Sequence, residues 1–264
     1  GTAFDLTVTL SPLYDSDGQL NGYVAVHRDN TRLKELDRLR DQFVSRIGHE
    51  LRTPLTSLII YLDLLENGKA EKRSQYLTTL QREADRLRRL VEGFLKIAEL
   101  DANRVAAEFQ AADLNMVVGG VIHDHLSRAA QRQQQLLFEP KVNLPPAWID
   151  ADLVRDVLRR LLDNALSYTP LLGHIVCRTL LIAEANESWL TVSVKDDGPG
   201  LASDELPRMF ERFYRGHAAR DYTVPGVGLS LAICRETMAK LGGRITVDSE
   251  SAHGATFTIW LRPA

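Results

Sequence analysis

His49 is followed directly by Glu50 and, four positions later, by Thr53. If the segment is helical, an imidazole, a carboxylate and a hydroxyl share about one turn. A solvent-facing imidazole keeps a neutral fraction near physiological pH and can act as nucleophile or general base. A neighbouring carboxylate that accepts the Nδ1 proton makes Nε2 the electron-rich nitrogen, and Glu50 is placed for that role. An exposed histidine beside an ordinary helix kink accounts for the same residues, because Pro54 lacks an N–H and clashes with the carbonyl of Glu50. A bend just past His49 is expected.

The elements that must position this group are helical. Stepping about 100° per residue from Ile47, the residues Leu51, Leu55, Leu58, Leu62 and Leu65 fall within about 80° of arc, and His49 lands near 200°, opposite them. After the turn signal Asn67-Gly68, a second helix carries Leu77, Leu80, Ala84, Leu87, Val91, Phe94 and Ala98 at alternating steps of three and four, a coiled-coil seam. Two such helices cannot bury their seams alone, so a homodimeric four-helix bundle is expected. Upstream, Phe4, Leu6, Val8 and Leu10 alternate, Asp17-Gly18 supplies a turn, and Tyr23–Val26 return, so residues 1–30 read as a two-stranded ribbon. A ribbon of two strands is marginal alone and implies the end of a larger domain or a partner. From about Ala106 the pattern is mixed. Helices are expected over Leu114–Gln134, Ala151–Tyr168 and Leu229–Leu241. Strands are expected over Leu136–Phe138, Ile175–Ile182, Leu190–Lys195, Ile245–Val247 and Thr256–Leu261, giving an α+β sandwich with helices on one face of a mixed sheet.

Charge and composition narrow the classes. The 264 residues carry a formal charge of −3, with 25% charged and 44% hydrophobic residues, which points away from nucleic acid as a main partner. No run reaches the ~18 apolar residues of a membrane span, so no membrane contact is expected within the chain. Cys177 and Cys234 form neither a CxxC pair nor a disulfide framework and suit a reducing, cytoplasmic compartment. A longer parent protein with membrane or sensor segments remains compatible with a sequence that starts Gly-Thr.

The run His49-Glu-Leu-Arg-Thr-Pro-Leu55 resembles the H-box of the sensor histidine kinases of two-component systems, in which the histidine is the phospho-acceptor. In relatives with His-Glu-x-x-Thr the threonine serves phosphatase activity, which maps to Thr53. Four further segments resemble, in order, the boxes of a Bergerat-type ATP site. Leu-Leu-Asp-Asn164-Ala is similar to the N-box, whose asparagine binds Mg²⁺, and an amide oxygen is a suitable ligand for that hard cation. Val194-Lys-Asp-Asp-Gly-Pro-Gly200 resembles the G1 box, which implies that Asp196 accepts from the adenine amino group while Gly198 and Gly200 allow close backbone approach. Phe210-Glu-Arg-Phe-Tyr-Arg215 resembles the F-box at the lid base, with Arg212 or Arg215 to offset phosphate charge. Gly226-Val-Gly228-Leu229-Ser-Leu231 resembles the G2 box, opening into a helix whose N–H groups suit a triphosphate. Gly254-Ala-Thr256-Phe fits the small G3 motif. Tyr168, Leu229 and Thr256 complete the implied nucleotide-binding set. Each motif has a plainer reading in isolation: a turn, a surface asparagine, or phenylalanines that only pack.

The resemblance covers residues 31–264. It implies the end of a PAS-like sensor domain over 1–30, a signalling helix with the dimerisation and phosphotransfer domain over 31–105, and the catalytic ATP-binding domain over 106–264. It also implies ATP and Mg²⁺ as cofactors and the receiver domain of a response regulator as partner. Signal input would pass along a seam of Leu33, Leu36, Phe43 and Ile47. Four departures stand out: Gly48 precedes the histidine, Arg160 and Ser167 replace an expected asparagine and basic residue, and Ser230 replaces a third glycine. Because 160, 164 and 167 share a helical face, Arg160 is expected to supply the charge missing at Ser167. A catalytically decayed dimeric scaffold and an ATP-driven clamp of the gyrase or chaperone type are the competing classes. The absence of a Gly-x-x-x-x-Gly-Lys-Ser/Thr loop argues against a P-loop enzyme.

Overall fold

A computed structural model of the chain describes residues 6–14, 16, 18–102, 104, 106–184, 187–217 and 228–264. Phe4, Asp17 and Gly226 lie outside the described residues, as do the side chains of Leu33, Leu36 and Phe43. By its contacts the chain divides into two units, Gly1–Ala84 and Asp85–Ala264.

In the first unit, β1 (Leu6–Tyr14) and β2 (Leu20–Asp29) pair antiparallel, with Leu6 opposite Asp29. Both faces of the ribbon are exposed, Leu10 at 64% and Val26 at 59%. Helix α1 (Thr31–Asn67) follows at once. Asp29 accepts from the Thr31 backbone N–H at 2.9 Å and from its hydroxyl at 2.6 Å, which ties the strand end to the first helical turn and holds the Asp29 carboxyl below its ordinary range. Helix α1 runs through Pro54 as one element. At Gly68 an added Cβ would strike the Leu64 carbonyl, so the turn into α2 (Arg73–Asp101) needs glycine there. Tyr61 and Tyr76 pack with ring centroids 6.1 Å apart, closing this end of the hairpin.

The leucine seams are only partly covered. On α1, Leu51, Leu58 and Leu65 are half-buried, whereas Leu55 and Leu62 are exposed, each at 51%. On α2 the buried apolar side chains are Tyr76, Leu90, Ile97 and Leu100. Leu80, Leu87 and Phe94 are half-buried, and Leu77, Ala84, Val91 and Ala98 face solvent at intervals of seven. These positions of the expected seam are thus left uncovered in a single chain.

In the second unit a five-stranded sheet has the order β4-β6-β7-β9-β8, with β4 (Gln135–Glu139) parallel to β6 (His174–Glu184) and the other pairs antiparallel. The remaining strands are β7 (Glu187–Asp196), β8 (Arg244–Ser249) and β9 (Ala255–Leu261). Helices α3 (Leu114–Gln131), α4 (Ala151–Tyr168) and α5 (Ser230–Lys240) contribute to one core with the alternate residues of these strands: Ile175 and Cys177, Leu190, Val192 and Val194, Phe257 and Ile259. A short ribbon, β3 (Gln110–Ala112) with β5 (Ala147–Ile149), had no signature in the sequence. Both cysteines are buried, free, and pushed up to about 12 by that burial, so they are inert packing groups.

Candidate functional site

Helix α4 is cut to length by its ends. Asp150 caps it by accepting from the backbone N–H groups of Asp152 and Leu153 at 3.0 and 3.1 Å. Thr169, held extended before Pro170, stops it. Val157, Leu158, Leu161 and Ala165 face the core, which leaves Arg160, Asn164, Ser167 and Tyr168 toward a cleft of about 620 Å³ within the Asp85–Ala264 unit. That volume suits a small organic ligand.

Asp196, at the end of β7, lies in this cleft with only 6% exposure. Burial pushes its carboxyl up to about 6, against hydrogen bonds from the backbone of Gly198 and Ala255. The Gly198 N–H donates to Oδ1 at 2.8 Å, so the loop itself helps to aim the buried carboxylate. Gly200 and Gly228 both line the cleft with positive φ, 66° and 75°. A side chain at Gly200 would strike the Glu250 carbonyl, and one at Gly228 the Tyr214 carbonyl. At Gly198 it would strike the Asp196 carboxylate. Glycine is thus demanded first by the protein's own backbone crossings, a different reason from close approach to a ligand. The Phe213 N–H donates to the Gly228 carbonyl at 2.8 Å, joining the Phe210–Arg215 segment to the start of α5.

Of the residues singled out from sequence, Asn164, Tyr168, Asp196, Gly200, Arg215, Gly228 and Leu229 are brought together in this cleft. Burial raises the Tyr168 phenol, with Arg215 opposing. Gly198 adjoins the lining without being part of it, and two others are placed elsewhere. Strand alternation turns Thr256 to the far face of the sheet, while its neighbours Ala255 and Phe257 line the cleft. Arg212 binds Asp101 at the end of α2 (2.8 Å) and Glu236 on α5 (2.9 Å), which raises its pKa further and occupies its guanidinium. Arg160 is also engaged, by Asp156 at 3.0 Å.

Several lining residues were not evident in the sequence. Arg86, Arg88 and Arg89 come from α2, Arg128 from α3 and Arg132 from just past its end. Asp163, beside Asn164, is braced by Arg128 and by His125, whose Nε2 lies 3.5 Å from its Oδ1. Although burial opposes it, these partners hold Asp163 below its ordinary range. The buried His125 presents its other nitrogen to the Val121 carbonyl at 2.7 Å. Both ring nitrogens therefore face acceptors, and the Asp163 contact first of all, followed by the carbonyl, raises its pKa in spite of burial. Among the described residues no cluster of three or more His, Cys, Asp or Glu side chains could hold a metal ion. A single amide such as Asn164 suits Mg²⁺, which is commonly held by one or two protein groups together with substrate phosphates and water.

On α1, His49 and Thr53 are exposed and Glu50 is half-buried. The Thr53 hydroxyl donates to the His49 carbonyl at 3.3 Å, one turn back. This hydroxyl therefore shares the histidine's face of the helix.

The fold and site define a two-part class: a helix displaying a histidine, and a Bergerat-like nucleotide cleft. The family model described as His Kinase A (phospho-acceptor) domain matches residues 39–103, and that of the histidine kinase-, DNA gyrase B- and HSP90-like ATPases matches 149–264. The chain belongs to the sensor histidine kinases. It is 32% identical to the sensor histidine kinase WalK of Bacillus subtilis, over 97% of its own length and 42% of that relative. The chain thus spans about two fifths of the curated relatives it matches first. The structure of full-length ShkA in complex with AMPPNP superimposes with a TM-score of 0.63 at 29% identity, covering 84% of this chain and 46% of that one. The histidine kinase ThkA, solved in complex with the response regulator TrrA, gives a TM-score of 0.69 at 21% identity over 97% and 75%, a likeness of fold. Among the described residues no helix is long and apolar enough to cross a membrane.

Proposed function

We propose that this chain binds ATP in the Asp196 cleft and transfers its γ-phosphoryl group to Nε2 of His49. The observation that carries this reading is a buried, raised-pKa carboxylate facing a cleft rich in arginine, in a chain that also exposes His49 on a helix. A buried acceptor rejects purines lacking a matching donor, which favours adenine over guanine. In the transfer, an Nε2–phosphorus bond forms as the bond from the γ-phosphorus to the bridging oxygen breaks, and ADP leaves. Glu50 takes or holds the Nδ1 proton, so the attacking nitrogen keeps its lone pair. Such transfers depend mainly on positioning and charge neutralisation. Asn164 would hold Mg²⁺, which when bound neutralises phosphate charge.

The next acceptor is an aspartate on a response-regulator receiver domain, and Thr53, beside the histidine, serves the later attack of water on that aspartyl phosphate, which frees inorganic phosphate and restores the aspartate. ThkA, solved with its regulator, supports this reading. The second copy needed to complete the bundle is this chain itself: Leu55 and Leu62 of α1 and the heptad Leu77, Ala84, Val91 of α2 are exposed in one copy. Residues 31–105 form the phospho-acceptor domain and 106–264 the ATP-binding domain, with 1–30 the last strands of a PAS-like sensor and the long helix from Thr31 its route to His49. The chain acts in the cytoplasm.

Titration calorimetry with ATP and GTP, with and without Mg²⁺, tests the nucleotide half. The reading expects Mg²⁺-dependent binding of ATP and at least tenfold weaker binding of GTP. A decayed scaffold would bind neither.

A further inference from the structure

The expectation that Arg160 supplies the missing charge near Ser167 does not fit the cleft's ion pairs. Arg160 is engaged by Asp156 at 3.0 Å, and the Ser167 hydroxyl donates to the Asp163 carbonyl at 2.6 Å. Two other lining arginines are also answered, Arg88 by Glu92 at 2.8 Å and Arg128 by Asp163. Arg89 on α2 and Arg132 just past α3 are different. Both line the cleft and are exposed, and among the described residues no carboxylate pairs with either. They arrive from two helices, neither of which is the helix that bears Asn164.

We propose that Arg89 and Arg132 hold the terminal phosphates of the nucleotide, so that α2 of the phospho-acceptor hairpin is itself part of the ATP site. Guanidinium groups bind phosphate through paired, charge-assisted hydrogen bonds. An already neutralised arginine must first give up its carboxylate, and these two do not. The number of negative charges on the nucleotide then sets how firmly the second half of α2 is drawn onto the ATP-binding module. ATP draws it harder than ADP, and the loss of one phosphoryl group to His49 weakens the hold. The inference rests on the ATP-binding reading above and adds which residues sense the phosphates.

The test uses the whole chain. Affinities for ATP, ADP and adenosine are measured for the unaltered protein, for Arg89→Gln with Arg132→Gln, and for Arg73→Gln with Arg82→Gln, which removes the same charge from α2 outside the cleft. The cleft pair is expected to weaken ATP by roughly tenfold or more, ADP less and adenosine not at all. The outside pair should leave all three within about twofold. Arg89→Lys with Arg132→Lys should recover part of the preference for ATP. Hydrogen exchange in residues 86–101 should be slowed more by ATP than by ADP, and equally by both in the Gln pair. An ATP-to-ADP ratio unchanged in the Gln pair overturns the proposal while leaving the ATP site intact. Absence of any nucleotide binding by the unaltered chain removes the underlying reading instead.

Discussion

The hairpin helices and the ATP-binding module solve opposite problems with the same kind of residue. In the module, apolar side chains from three helices and the inner face of five strands bury one another; Leu158, Leu161, Leu166 and Ile259 are at 1% exposure or less. The chemistry there is built inward, with Asp196 desolvated and aimed by its own loop. Along α1 and the first turns of α2, leucines at regular spacing remain half covered, and the reactive group sits on the outside. A nucleotide site needs fixed acceptors and excluded water, which a closed core supplies. Under the proposed function the phospho-acceptor meets at least two partners in turn, which suits display on an exposed helix face. That difference decides what each substitution should do.

Asp196→Asn should separate function from stability most sharply. Nucleotide affinity should fall by roughly a hundredfold or more, because the amide presents donors to the adenine amino group. The unliganded protein should become more stable. Folded Asp196 titrates near 6, above the ordinary carboxyl value of 3.8, so its contribution to stability falls as pH rises between those values. The variant's advantage should reach on the order of 2–3 kcal/mol at pH 8 and vanish near pH 4, read by denaturant unfolding. Leu166→Ala in the module should cost about 2–5 kcal/mol whatever the protein concentration. Leu62→Ala should cost under about 1 kcal/mol in a single copy, yet shift sedimentation from dimer toward monomer, since its face is exposed until a second copy covers it. Equal, concentration-independent costs at both sites would break the comparison.

Smaller effects sharpen it. ATP affinity should decline as pH falls through about 6, as Asp196 takes up a proton and loses its acceptor, and Asp196→Asn should abolish that dependence. Asp101→Asn, which removes one partner of Arg212, should lower stability by no more than about 1 kcal/mol because the pair is half exposed.

Much of this was legible in the sequence where local signals were complete. Helix α4 runs from Ala151 to Tyr168 as expected because Asp150 caps it and Thr169-Pro170 ends it. Helix α3 stops at Gln131, three residues short of the expected end, where Gln133 adopts a positive φ of 54° and lets the chain turn into β4. No periodicity announces such a turn. The three-residue strands β3 and β5 are too short to carry an alternation. Seven proposed nucleotide contacts were gathered into one cleft, yet the arginines beside them were not foreseen, because their meeting depends on how α2 and α3 pack rather than on spacing. Arg212 and Asp101 are 111 residues apart, and nothing local announces their pairing. Thr256 illustrates the converse: the motif was recognised, but strand alternation gives the cleft to its neighbours.

The most direct test of the central claim is incubation of the chain with γ-labelled ATP and Mg²⁺, followed by acid and alkali treatment, beside His49→Gln. Acid-labile, alkali-stable label that disappears in the variant is the predicted result and places the phosphoryl group on His49. Label retained in His49→Gln, or no label in a protein that binds ATP with its dimer intact, would contradict it.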